Sequence, residues 1–347
     1  MGKKVFHSSV EGAQHSPKGL LGFLQFARDA GATGAQPSNF MLEAKGSRFL
    51  SASEIRNMYQ RYKLELDGVS AHCPFWVHTT AWTNSPTIRS FIPAEVAQEP
   101  PREIEQWAED YILYLLDLCA ELGVRIVPMF WGTAFGWEIA TGYPWGFWSG
   151  PGYDLVKEGE ERFVVKTKRI REHARQLGIY LAHEIHPGTA AVCAEDFLHL
   201  VSICGSDPCL QVNADPSHCW EGEDWRTRFN RVAEYVVACH MKNHLVIPGL
   251  PLRSMEPRWP QRAMQFTLLG KGDINLVEFA KFLVTIGYPQ RYCQIQGKET
   301  APLVVEAEDA VVDLDTVSAD GVGFVNKNCC FKVAETSFEA GMGADKK

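Results

Sequence analysis

No stretch of this 347-residue chain stays apolar for the roughly 20 residues that a membrane-spanning helix needs, which argues against a membrane partner. Its start, Met-Gly-Lys-Lys-Val-Phe-His, runs into a strand-like segment without the apolar centre of a signal peptide. There is no C-x-x-C pair either. The ten cysteines are scattered, and the adjacent Cys329 and Cys330 cannot easily bridge each other. A disulfide framework is therefore not expected, and buried thiols in a reducing cytoplasm are. Positive charge is in deficit, with 34 Lys and Arg against 42 Asp and Glu, and no basic stripe breaks the formal net charge of −8. That balance disfavours nucleic acid and favours a small neutral or weakly charged ligand. A Gly-rich phosphate fingerprint is also missing after the first strand, which counts against a doubly wound nucleotide-binding sheet.

What the chain does have is a repeating rhythm. Val/Ile-rich runs alternate with amphipathic stretches in the manner of β-α units. Val5 to Ser9 reads as a first strand and Leu20 to Ala30 as a helix stopping at Gly31. Gly34 to Pro37 is a weak second strand, a helical pattern follows Ser53, and Gly68 to His72 reads as extended. One helix presents Ile104, Trp107, Tyr111, Leu115, Leu118 and Leu122 on a single face before the strand Val124 to Phe130. Further strands are expected at Ile179 to His186, Leu210 to Asp215, Val236 to Lys242 and Pro302 to Glu306. Helices between or around them are expected at about Glu161 to Gln176, Ala194 to Ile203, Trp225 to Tyr235 and Leu276 to Ile286. Eight strands alternating with helices predict a closed (β/α)8 TIM barrel over residues 1–340, with 341–347 as a flexible tail.

Long loops follow several strands, where barrel enzymes carry their active sites. After Phe130, the residues Trp131, Phe135, Trp137, Tyr143, Trp145, Phe147, Trp148 and Tyr153 interleave with glycines and prolines. Trp137 and Trp145 are candidates for packing against a sugar ring or aromatic glycoside, and a satellite core over the barrel is the competing reading. A second insertion, Val246 to Leu269, suits a lid or a subunit contact.

Four strand-like runs each end on a residue able to bind a metal. These are Glu184 in His-Glu-Ile-His-Pro-Gly, Asp215 in Asn-Ala-Asp-Pro-Ser-His, His240 in Cys-His-Met-Lys and Glu306 in Val-Val-Glu-Ala-Glu-Asp. Three carboxylates and an imidazole make an oxygen-rich site for a divalent cation. Side chains alternate along a strand, so His186 should share the cavity of Glu184, Asn213 that of Asp215 and Lys242 that of His240, while His183 faces the helices. His218 lies where a loop can fold it back over the site. Tyr292 to Gln296 is also strand-like and offers Gln296 as an alternative to Glu306, though a carboxylate grips a hard cation more strongly than an amide.

These segments resemble the sugar phosphate isomerase/epimerase group of the xylose-isomerase-like TIM-barrel superfamily, over most of the second half of the chain. The resemblance implies a Mn2+, Mg2+ or Co2+ ion, Mn2+ foremost, on Glu184, Asp215, His240 and Glu306, with Glu184 and Glu306 also moving protons. His218 would touch substrate. His186 and Lys242 are alternative bases or oxyanion partners, and His72 is a candidate hydroxyl ligand. The implied function is isomerisation or epimerisation of a sugar or sugar derivative through a cation-stabilised enediolate. A similar barrel, the catalytic subunit of C-glycoside deglycosidases, cleaves 3-keto glycosides beside a small second subunit. That relation, and the expected oligomer, extend the partner list beyond a sugar or glycoside. A zinc-dependent DNA-repair endonuclease fits the acidic balance poorly, and a sugar-binding barrel without turnover stays open.

Overall fold

Short runs form strands here, most of them buried on both faces, and such strands pair in parallel under a coat of helices. The computed structural model describes residues 2–45, 47–133, 155–220, 223–251 and 261–334. Eight strands form one sheet: β1 Phe6–Glu11, β2 Gly34–Gln36, β3 Glu65–Leu66, β4 Ile126–Met129, β5 Tyr180–Glu184, β6 Leu210–Ala214, β7 Val236–Met241 and β8 Ala301–Val305. Their order is β3-β2-β1-β8-β7-β6-β5-β4, and every neighbouring pair runs parallel. Between the two end strands the backbone N–H of Ala71 donates to the carbonyl of Pro128 at 2.9 Å, joining the segment after β3 to β4. The sheet thereby curls into the ring expected of a (β/α)8 barrel.

One main helix follows each strand: α1 Gly19–Asp29, α2 Ala52–Tyr62, α3 Pro101–Leu122, α4 Leu155–Leu177, α5 Ala194–Ile203, α6 Trp225–Arg231, α7 Leu276–Thr285 and α8 Leu314–Asn328. Local chemistry sets their ends. Ser51, two residues before the expected Ser53, caps α2 in a reciprocal capping box with Glu54. Pro101 opens α3, and Gly123 closes it with φ 79°, a left-handed turn that favours glycine. Ile104, Tyr111, Leu115 and Leu118 on its buried face meet the core, with Phe23, Phe197, Phe229 and Phe279 from other helices. No described helix is long and apolar enough to cross a membrane.

Three readings of the sequence need correction. The stretch Tyr288–Gln296 is a helix, not a strand, and Gln296 accepts the N–H of Arg125, just before β4, at the end of the barrel away from the strand C-termini. A Pro at its second position and glycines at both caps favour the helix over a strand. The third strand ends at Leu66, and His72 instead opens a helix, His72–Thr80. β5 and β7 stop at Glu184 and Met241, so strand alternation does not carry to His186 or Lys242. Asn243–Val246, which leads into the second insertion, pairs antiparallel with Met264–Thr267 near that insertion's end. Trp137, Trp145 and the tail 341–347 lie outside the described residues.

Buried histidines write a pH signature into the fold. His78 is fully buried on the helix His72–Thr80, and neither ring nitrogen has a hydrogen-bond partner. Burial first, and then the charge of Lys166, pushes its pKa from 6.5 to about 3. Its folded pKa is depressed, so its contribution to stability is present above pH 6.5 and is lost as pH falls toward 3. His78→Gln is therefore expected to flatten the dependence of unfolding free energy on pH by about 1.4 kcal/mol per pH unit between pH 4 and 5.5. Urea titrations across that range check it, and parallel slopes in both proteins would contradict it.

Candidate functional site

Strand register, more than sequence spacing, levels the site. Glu184 on β5 pairs with Asn213 on β6, Cys239 on β7 with Ala214 on β6, and Met241 with Val305 on β8. The next residues along, His240 beside Asp215 and Lys242 beside Glu306, therefore arrive at one height at the C-terminal rim of the barrel. The potential ligand atoms of Glu184, Asp215, His240 and Glu306 all lie within 4.8 Å of one another. His240 Nδ1 sits 3.1 Å from Glu184 Oε2 and 2.7 Å from Glu306 Oε2.

Around this centre stand the other residues expected from sequence. His218, in the short turn Pro216–His218, places Nε2 3.1 Å from Glu184 Oε1 and 3.2 Å from Asp215 Oδ2. His72 Nε2 lies 3.3 Å from Glu184 Oε2. Lys242 donates to Glu306 Oε1 at 2.8 Å and to Glu308 Oε1 at 3.1 Å. His186 reaches the cavity from the loop after β5, its ring 4.0 Å from that of His218. A cavity of about 370 Å³ opens above them, bounded also by Gln14, Phe130, Trp220 and Phe266.

The electrostatics follow from burial and pairing. Burial alone would raise the Glu184 carboxyl, but hydrogen bonds from His218, His240 and His72 outweigh it and hold the group well below its usual range. Glu306 is likewise held well down, burial being more than offset by Lys242 and then His240. Burial also opposes charge on Lys242, His240 and His218, yet their carboxylate neighbours win. Lys242 and His240 are raised well above their ordinary values, and His218 goes up to about 9.

A divalent cation fits the donor set. Asp215 Oδ1 accepts the N–H of Ser217 at 2.8 Å, whereas its Oδ2 is buried without a hydrogen bond. Glu306 repeats the pattern: Oε1 is taken by Lys242 and Gln14, while Oε2 is buried without a hydrogen bond and close to His240. Each carboxylate is clamped through one oxygen and turns the other toward a histidine at the ligand centre, an arrangement that suits a hard ion. Gln36, at the end of β2, touches the far nitrogen of His240 at 3.0 Å and orients the ring.

Gln14, Gln36, Glu11 and Glu308 complete this surround, and none was singled out from the sequence. Glu11 ends β1, two residues beyond the expected strand, and is buried. Burial, with Glu306 next, pushes its carboxyl up to about 7. The signal for Glu11 and Gln36 was the rule already applied to later strands, a polar residue at a strand's C-terminal end. Gln14 lies in a loop and carries no such signal.

A family model described as the xylose isomerase-like TIM barrel matches residues 24–309. Curated proteins give no match. Among solved structures, the chain is similar to a xylose isomerase domain protein from Planctomyces limnophilus, with a TM-score of 0.61 and 16% identity over 93% of this chain and 96% of that one. It is similar to a xylose isomerase-like TIM barrel protein from Mycobacterium smegmatis in complex with magnesium, with a TM-score of 0.58 and 16% identity over 94% of this chain and 97% of that one. D-psicose 3-epimerase from Clostridium cellulolyticum H10, solved with D-tagatose, gives a TM-score of 0.58 and 13% identity over 93% of this chain and 98% of that one. At these identities the likeness is one of fold.

Proposed function

The chain belongs to the xylose isomerase-like TIM-barrel family, and from that premise we propose that it is a divalent-cation-dependent isomerase or epimerase of a sugar or sugar derivative. The observation that carries the reading is the convergence of Glu184, Asp215, His240 and Glu306 at the barrel rim, each with a ligand atom within 4.8 Å of the others. An epimerase with D-tagatose and a magnesium complex among the structures of the same fold support it.

Removing a proton beside a sugar carbonyl leaves an enediolate whose charge is costly in water. A cation held by the four side chains, Mn2+ foremost, would supply positive charge to the carbonyl and neighbouring hydroxyl oxygens as that charge develops. The remaining work belongs to the chain. Glu184 and Glu306 enter from strands three places apart, β5 and β8, and each is held in the ionised form that a proton acceptor needs. Proton removal by one and return by the other inverts a carbon, and return to the adjacent carbon moves the carbonyl. His218 and Asn213 hold Glu184 in place, donating to Oε1 and Oε2 at 3.1 and 2.7 Å. Lys242 fixes Glu306 and lies where it can steady an oxyanion. His72 and His186 line the same cavity and offer ring nitrogens for substrate hydroxyls.

The same first step serves a second outcome, expulsion of a leaving group from a 3-keto glycoside as in the C-glycoside deglycosidases. An aromatic-walled groove adjoining the cavity favours it, and copurification of a short partner chain would support it. The test for both is deuterium incorporation from D2O into ketoses, 3-keto sugars and glycosides by the Mn2+-loaded protein. Exchange at a carbon next to a carbonyl is expected with at least one class. No exchange in any of them, with the cation bound, would overturn the reading.

A further inference from the structure

A second cavity, about 350 Å³, abuts the polar one, and the two share Phe130, His186 and Pro187 as a common wall. Its chemistry is the opposite. Where the first presents Gln14, Lys242, Glu306 and Glu308, the second is walled by Trp76, Phe91, Phe130 and Pro187, with no Lys, Arg, Asp or Glu among its described lining residues. The Cys73 thiol in that wall is pushed up to about 12 by burial and then Glu11, so it stays neutral. We propose that the substrate carries a planar apolar ring, and that this groove binds the ring while the polar cavity holds the sugar. The inference deepens the proposed function and rests on it for the placement of the sugar.

One helix serves both chambers. His72, the first residue of His72–Thr80, reaches Glu184, while Cys73 and Trp76 in the same turn and the next line the groove. Phe130 stands at the junction, its ring 4.8 Å from that of His72 and 5.2 Å from that of His186. Across the groove, Trp76 and Phe91 meet edge to face at 6.0 Å. Faces and edges so arranged suit a flat ring, which gains from both stacked and edge-on contact. A second sugar would fit less well, because its hydroxyls need partners. Among the described lining residues the only side-chain hydroxyls are those of Thr87 and Thr189, and that of Thr189 already bonds to the carbonyls of His186 and Ala191. Phe91 keeps 37% of its surface exposed, more than any other described phenylalanine, which is consistent with a wall that a ligand completes.

The experiment compares calorimetric binding of methyl β-D-glucoside, phenyl β-D-glucoside and the disaccharide cellobiose to the Mn2+-loaded full chain. The phenyl glucoside is expected to bind about tenfold tighter than the methyl glucoside, and the disaccharide no tighter than the methyl. Phe91→Ala and the groove-filling Thr87→Trp should each cut the phenyl-to-methyl ratio below about threefold. Both positions are exposed, and circular dichroism confirms that the variants fold. No phenyl preference, no measurable phenyl binding, a disaccharide preference, or a ratio that survives both variants would each overturn the proposal. Deuterium exchange into ketoses and 3-keto sugars by the same Mn2+-loaded preparation separates the two readings. Exchange without phenyl preference sinks only the groove, and phenyl preference without exchange sinks only the catalytic proposal.

Discussion

Glu306→Gln in the Mn2+-loaded protein is expected to slow deuterium exchange about a thousandfold or more, while leaving the fold in place. The substitution changes almost no volume, so packing is spared. What it changes is the sense of the hydrogen bonds. Oε1 of Glu306 accepts from Lys242 at 2.8 Å and from Gln14 at 3.0 Å, and Oε2 turns toward His240 and the ligand centre. An amide NH2 in the first position would face two donors, and in the second it would turn hydrogens toward the cation. Either orientation removes a charged ligand and a proton acceptor at once. Exchange rates measured beside a thermal melt check the result, and a loss of less than about tenfold would remove Glu306 from the chemistry.

Lys242→Met is expected to cost the cation-free protein about 3–5 kcal/mol of stability, the range for breaking a buried charge pair on one side. Lys242 is only 3% exposed, with its ammonium between Glu306 and Glu308 and 4.2 Å from the ring of Phe266. Methionine keeps most of the stem but removes the ammonium that lies between the two carboxylates, leaving Glu306 to His240. Adding Glu308→Gln to Lys242→Met should recover part of the loss, because one of the stranded charges is then gone. Mn2+ should recover more in Lys242→Met than in the native chain, since its charge takes over from the missing ammonium. Urea unfolding of the native chain and Lys242→Met, each with and without Mn2+, and of the double variant measures this, and a cost below about 1 kcal/mol in Lys242→Met would show that solvent reaches the pair.

The barrel was legible because its signal repeats. Apolar runs at Ile126–Met129, Leu210–Ala214 and Ala301–Val305 each stand between amphipathic stretches, and a closed ring is the economical way to bury eight of them. The convergence of Glu184, Asp215, His240 and Glu306 was legible for a related reason, since each lies within one residue of a strand's C-terminal end and parallel register levels those ends. Where a strand stopped short, the reasoning failed. His72 reaches the cavity from a helix, although alternation along an extended segment suggested a strand. Lys242 and His186 lie past the last paired residues, and loop geometry rather than parity turns them inward. Gln296 misled because Tyr-Cys-Gln-Ile-Gln alternates like a strand, whereas the cap chemistry of Gly287, Pro289 and Gly297 governs the backbone. Glu11 and Gln36 escaped notice because β1 was read short and β2, only three residues long, has no room for a pattern.

The most direct test of the central claim is a titration of the cation-stripped full chain with Mn2+, following free ion by electron paramagnetic resonance. One tight site per chain is expected, lost in Asp215→Ala and in His240→Ala but kept in Phe91→Ala. An absence of tight binding in the native chain, or a site that persists in both ligand variants, would contradict the account.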